Sequence, residues 1–406
     1  MQTVSTPADP LAKPVPLSTR VGAIDVLRGL TMVLMIFVND LWSLTDIPAW
    51  LEHVAGGVDG IGLADVVFPA FLFIVGLSLP YAIQARRAKG DNDKQLLGHV
   101  LSRTVGLLTM GVFLVNGESI NEVVTGMPRL LWNVLACLCF ILIWNSYPKT
   151  MSSWLSTVLK ALGIIVLVAM AFVYRGEGEP ASRFATHWWG ILGLIGWSYL
   201  AAALVTIFAH NQLIVLIIAW VAFALLSMAD QAHLLPEAIS FIPSAISGGT
   251  LAGLSMGGVV MGTLFQHYRR LGDNRQLTLA FIAISLALTA LSVLTRPYWG
   301  LSKLGATPAW LFLCSAFTIL AFLVIYWLVN VYGKGSWFTL IKPAGTDTLL
   351  CYLMPYFAYA LTTALSFHLP APLLMGGIGL LQSLLFALLC VWVAGRLNKL
   401  GIRLKL

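Results

Sequence analysis

RVGAIDVLRGLTMVLMIFVND (residues 20–40) and LADVVFPAFLFIVGLSLP (residues 63–80) are the two runs whose reading decides the fold. Each comes close to the roughly 20 mostly apolar residues that an α-helix needs to cross a bilayer. Only a polar loop holding Glu52, His53 and Asp59 parts them. Both runs also carry groups that a lipid-facing helix excludes. Asp25, Arg28, Asn39 and Asp40 lie in or at the ends of the first, and Asp65 opens the second. An ionisable residue inside a membrane is costly, so each is a functional candidate by default.

The whole chain shares this character. Its 406 residues are 59% hydrophobic and only 10% charged, where a soluble domain carries about 25% charged residues. Runs long enough to span start near residues 24, 62, 97, 128, 154, 188, 212, 244, 277, 308, 346 and 371. The expected fold is all-α: a polytopic transmembrane helix bundle of about twelve spans (10–12). Residues 1–19, rich in Pro, Ser and Thr, lack the apolar core of a cleavable signal. They are expected to be a disordered tail, with residues 20–406 as a single transmembrane domain. Little more than His210 and Asn211 parts the spans near 188 and 212, which predicts a tight helical hairpin or one interrupted element.

Lysine and arginine placement sets the expected orientation. With a cytoplasmic N-terminus, sixteen of them fall in inner segments and five in outer ones. Both termini are then cytoplasmic, and the His53 loop faces outward. The net charge of +7 comes from those short loops and does not indicate nucleic-acid binding. Fourteen Trp and eleven Tyr suit anchoring at the two interfaces. The five cysteines, all in apolar runs, show neither zinc spacing nor a disulfide framework. Gly249, Gly253 and Gly257 recur at four, as do Gly258 and Gly262, the small-residue stripe that lets helices approach closely.

Several residues can carry chemistry. Asp25 and Arg28 share a helix face three residues apart, either as an ion pair or with Arg28 turned to a phosphate. Arg103, at the inner end of the third span, suits the same anion. Asn39 can hold a carbonyl or orient an imidazole. Asp40 beside it is a candidate acceptor-binding group. His53 can act as a general base or as an acyl-accepting nucleophile. Asp65 at a helix start favours the positive end of the dipole, a role that explains it without catalysis. In GLSKLGATPAW (residues 300–310), Lys303 is the cation best placed to hold an anionic acceptor or oxyanion, and Thr307-Pro308 is a helix-start signal. No Walker loop, dinucleotide fingerprint, HExxH or GxSxG is present.

The blocks RVGAIDVLRGLT (20–31), MIFVN (35–39), the loop histidine and ADVVFPAFLFIVG (64–76) resemble the heparan-α-glucosaminide N-acetyltransferase family. More closely, they resemble its bacterial branch of inner-membrane proteins. HWWGILGLIGWSYL (187–200), SKLGATPAW (302–310) with YWLVNV (326–331), and PAGTDTLLCY (343–352) agree in order. The resemblance implies a multi-pass acyltransferase that takes acetyl from cytoplasmic acetyl-CoA and gives it to an amino sugar or related glycan beyond the membrane. It implies His53 as the active-site histidine, and counts as catalytic Asn39, which matches the family's V-N asparagine, and Asp65, which matches its D-x-V-F-P aspartate. Arg28 and Arg103 match family arginines near the cytoplasmic helix ends, and Lys303 matches a lysine of the later outer loop. The run HVAGGVDGIGLAD is longer than in the lysosomal members, and their large lumenal domain has no counterpart, which leaves the acceptor open.

The expected protein is therefore an acetyl-CoA-dependent N- or O-acetyltransferase of the bacterial inner membrane, without a metal. Its expected partners are the bilayer and a glycan acceptor, with a homodimer possible. A secondary transporter or flippase for a sugar or lipid-linked sugar is the competing expectation, since twelve spans with a few intramembrane charges suit it too.

Overall fold

A computed structural model describes residues 22–406; the tail expected over residues 1–19 lies outside the described residues. Twelve helices of sixteen residues or more follow one another. They are α1 (Gly22–Asp40), α2 (Leu63–Arg87), α3 (Asp93–Glu118), α4 (Arg129–Trp144), α5 (Ser153–Val173), α6 (Ile191–Phe208), α7 (Leu213–Gln231), α8 (Thr250–Leu271), α9 (Asn274–Trp299), α10 (Pro308–Tyr326), α11 (Thr348–Ala364) and α12 (Gly376–Lys399). A helix thus stands at each of the twelve apolar runs. Nine are long and apolar enough to cross a membrane, which makes this an integral membrane protein with a polytopic helical bundle. α4 is apolar but shorter, and α8 is diluted by the glycines and polar residues of its packing face. No strand occurs among the described residues.

The sharing of apolar surface explains the arrangement. α2 is the most enclosed span, and α1, α3, α6 and α10 are more than half buried. α5 and α7 bury little and present Ile165, Phe172, Ile214 and Ile218 outward. A helix apolar all round but packed on one side is at home only against lipid.

The glycine stripe holds the centre. α2 and α8 run in the same direction with their backbones touching: a Cβ at Gly258 would run into the Phe73 carbonyl, and one at Gly76 into the Ser255 carbonyl. No side chain other than hydrogen fits there. α6 packs antiparallel on α3 through Gly111 and Gly193. The predicted α6–α7 hairpin is present, and its reversal uses left-handed backbone at His210 (φ 45°) and Asn211 (φ 61°).

Two loops are stapled together on the side where α1 ends. Gly60 N–H donates to the Leu301 carbonyl at 2.9 Å. The Asp59 carboxylate accepts from Leu301 N–H at 2.7 Å and from Arg296 Nε at 3.1 Å. The loop after α1 thereby lies on the loop between α9 and α10, and this latch carries His53 to Lys303.

Candidate active site

The histidine loop is built around one buried carboxylate. Asp65 stands in the first turn of α2 and is 1% exposed. Its Oδ2 accepts the backbone N–H groups of Gly62 and Val54, each at 3.0 Å, which caps the helix and fixes the loop. Its Oδ1 lies 2.7 Å from His53 Nδ1. Trp310 Nε1 donates to the Asp65 backbone carbonyl at 2.9 Å, tying α10 to the same turn. Asp65 therefore caps the helix, as its position alone suggested, and also orients the imidazole.

With Nδ1–H donated to Asp65, the lone pair of His53 Nε2 is left for another proton. Lys303 Nζ lies 3.2 Å from Nδ1, 3.4 Å from Nε2 and 3.9 Å from Asp65 Oδ1. Nδ1 has a single in-plane direction, and Asp65 occupies it at the shorter distance. The ammonium thus sits beside the ring, within reach of both nitrogens and the carboxylate. Burial pushes the Lys303 ammonium below the ordinary lysine range, against the opposing pull of the Asp65 carboxylate.

His53 and Lys303 open on a cavity of about 530 Å³ that Asn39, Trp189, Asp230 and Trp310 also line. Asn39 faces a second chamber of about 240 Å³ as well, shared with Glu118, Tyr352 and Tyr356. Tyr352 in turn borders a smaller cavity of about 70 Å³ beside Arg103 and Thr348. Shared wall residues thus set the three chambers in a row, with Asn39 between the first two and Tyr352 between the second and third. Arg103 lies about 15 Å along α3 from its first residue, at 1.5 Å per residue. Its guanidinium stacks 4.7 Å from the Tyr199 ring, and its buried Nε has no hydrogen-bond partner. An orphaned guanidinium donor in the last of these chambers fits a phosphorylated, thin-armed ligand.

Not every expected residue lines these chambers. Asp40 does not line the His53 cavity: it is 4% exposed, and its oxygens accept from Tyr359 at 2.7 Å and Ser383 at 2.5 Å. Neighbours on a helix point about 100° apart, so turning Asn39 to the cavity turns Asp40 to α11 and α12. Expected as an acceptor-binding group, Asp40 instead clasps the end of α1 to α11 and α12 in this structure. Arg28 pairs with Asp25 at 3.2 Å and donates to the Gly345 carbonyl at 3.1 Å. It does not line the Arg103 cavity, although Met32, one turn further along α1, does.

Three residues lining these chambers escaped the sequence reading. Glu118 closes α3 and Asp230 lies in the last turn of α7, each a carboxylate at the end of an apolar run. Trp189 reads as an interfacial anchor, yet it lines the cavity with 57% of its surface exposed. A carboxylate placed at the unfavourable end of a helix dipole is the signal that marks Glu118 and Asp230.

A family model described as "Domain of unknown function (DUF5009)" matches residues 20–246. The chain belongs to the DUF5009 family. It is also similar to heparan-alpha-glucosaminide N-acetyltransferase of Mus musculus, 33% identical over 103 residues, which cover 24% of this chain and 14% of that protein. The Homo sapiens protein of the same name is 31% identical over 104 residues, covering 25% of the chain and 14% of its own length. The likeness read from the motifs is thus shown for about a quarter of this DUF5009 protein. The matched stretch spans about one-seventh of those curated relatives.

Proposed function

We propose that this protein is a transmembrane acyltransferase that moves an acetyl group from acetyl-CoA to an amino sugar or related glycan on the outer face. One observation carries the reading. An imidazole backed by a buried carboxylate opens on the first of three neighbouring chambers that share Asn39 and Tyr352 as walls, and Arg103, whose Nε lacks a hydrogen-bond partner, lines the last of them. In this reading the chain crosses the membrane twelve times as one domain over residues 20–406, with both termini cytoplasmic. The donor approaches from the side where α3 begins.

Each residue then has a task. Arg103 neutralises a phosphate of the donor, and the chambers beside Tyr352 and Asn39 hold its extended arm. His53 Nε2 takes a proton from the acceptor or takes the acetyl group itself. Asp65 keeps the imidazole in the tautomer that leaves Nε2 free and stabilises the positive charge that forms there. Asn39 Nδ2 and Lys303 Nζ are the donors for a developing oxyanion, a contact worth about 2.7–4 kcal/mol in other acyl transfers.

The test is release of free CoA thiol by purified protein given acetyl-CoA and a panel of amino sugars, cell-wall fragments and simple alcohols. Thiol release that His53→Ala removes while the fold persists is the expected result. No release with any acceptor, or full release by His53→Ala, sinks the proposal. Substrate-stimulated uptake into vesicles without thiol release would instead identify a transporter.

A further inference from the structure

Asp230 is the least explained charge in the His53 cavity. It stands in the final turn of α7, among carbonyls that already make that helix end negative. A carboxylate there is unfavourable by about 0.3–1 kcal/mol. No side chain of the described residues pairs with its oxygens. The neighbouring side chain nevertheless keeps this helix end in place. Gln231 Nε2 donates to the Gly305 carbonyl at 2.8 Å, fastening the end of α7 to the Lys303 loop. Gly248 leaves it room: a Cβ at that position would press to 3.2 Å from Asp230 Oδ2.

Trp189 lines the same cavity with an uncovered indole. Its neighbour Trp188 is occupied edge-to-face with Trp197 at 5.5 Å, so the two tryptophans have separate duties. An indole face attracts an ammonium and also offers a flat apolar platform to a sugar ring. The cavity's own cation, Lys303, is committed to Asp65 and His53. An open indole and a carboxylate that makes no ion pair with that cation are complementary to a positive ligand.

Resting on the acyltransferase reading, we infer that Asp230 and Trp189 form the acceptor subsite and select a primary ammonium carried on a polar ring. The acceptor arrives as R–NH₃⁺, held by the Asp230 carboxylate. His53 Nε2 removes one proton, and the freed nitrogen lone pair forms the C–N bond to the acetyl carbonyl carbon as the C–S bond breaks. The thiolate takes the proton back from His53, and the remaining N–H proton leaves to water. The products are the amide, CoA thiol and one released proton. Asp230 touches the substrate throughout without exchanging a proton with it.

The experiment is calorimetric titration of the purified protein with glucosamine and with glucose, which differ only in the amine. The wild type is expected to bind glucosamine about ten- to a hundredfold more tightly, the scale of one hydrogen-bonded charge. Asp230→Asn should erase that preference, and Trp189→Ala should weaken both ligands while Trp189→Phe keeps most of the binding. Equal binding of the two sugars by the wild type, or a preference that survives Asp230→Asn, overturns the subsite. Acetyl-CoA turnover is followed on the same samples. An Asp230-dependent preference without thiol release supports the subsite and removes the acyltransferase reading. Thiol release without the preference does the reverse.

Discussion

Replacing Asp65 by Asn removes one charge and almost no volume, which makes it the sharpest probe of the histidine loop. The carboxamide oxygen can keep the Gly62 and Val54 N–H groups that Oδ2 accepts at 3.0 Å. The amide nitrogen then faces His53 Nδ1 where a carboxylate oxygen stood at 2.7 Å. Two donors cannot share that contact, so the imidazole proton moves to Nε2 and the lone pair is lost from the cavity. The same change behind the catalytic imidazole of serine proteases lowers kcat about 10⁴-fold. Because the His53 side chain is 46% exposed and water can partly replace the lost orientation, a fall of about 10²- to 10⁴-fold is expected here. Loss of one charge-assisted hydrogen bond at a buried group should also cost about 1.5–3 kcal/mol of stability. The assay is thiol release under saturating donor, beside thermal unfolding in detergent. Groups that act as a unit are not additive, so Asp65→Asn with His53→Ala should be no slower than His53→Ala alone. A variant that is destabilised yet keeps wild-type kcat would reduce Asp65 to a helix cap and refute the dyad.

Other perturbations separate the remaining parts. Lys303, depressed by burial, should lose its charge below the ordinary value of 10.5, so the alkaline limb of the rate profile should fall below the usual lysine range and move upward in Lys303→Arg. Between the depressed folded value and 10.5 the unfolded chain binds more protons, so the stability cost of burying Lys303 is relieved as pH rises through that window. Asp59 is lowered from 3.8, chiefly by the Leu301 N–H bond with Arg296 adding to it. Its contribution to the latch is complete above 3.8 and is lost as pH falls through the lower folded value, and Asp59→Ala should speed amide exchange at Gly60 and Leu301 at neutral pH. Gly258→Ala forces a methyl against the Phe73 carbonyl and should destabilise by about 1–3 kcal/mol or more; a wild-type melting curve would contradict the close α2–α8 contact.

Much of the scaffold could be read before any coordinates. Apolar run length located every long helix among the described residues, and nine of them are long and apolar enough to cross a bilayer. The glycine spacing of α8 pointed to close packing, and Gly258 does meet the α2 backbone. His53 and Asp65 were legible because each stands out against an apolar background. Periodicity does not reveal where a side chain at a helix end will turn. Asn39 and Asp40 are adjacent, yet one lines the cavity and the other reaches Tyr359 and Ser383. The spacing of Asp25 and Arg28 allowed an ion pair, which is present, but could not show the Gly345 carbonyl that Arg28 also meets. Asp230 and Trp189 lie 41 positions apart in the chain, and their meeting in one cavity is a product of helix packing alone.

The latch between Asp59 and Leu301 has a practical meaning for anyone dividing this chain. The family model stops at residue 246, which invites a shorter expression fragment ending there. Such a fragment would contain His53, Asn39 and Asp65, yet it would lack Lys303 beside the imidazole, Trp310 on the Asp65 carbonyl, and both hydroxyls that grip Asp40. Its histidine loop would keep the Asp65 contacts but lose the bonds from Asp59 and Gly60 to Leu301. Mutational surveys confined to the matched segment would overlook Lys303, Trp310 and the Leu301 latch, all of which contact the histidine loop or its aspartate.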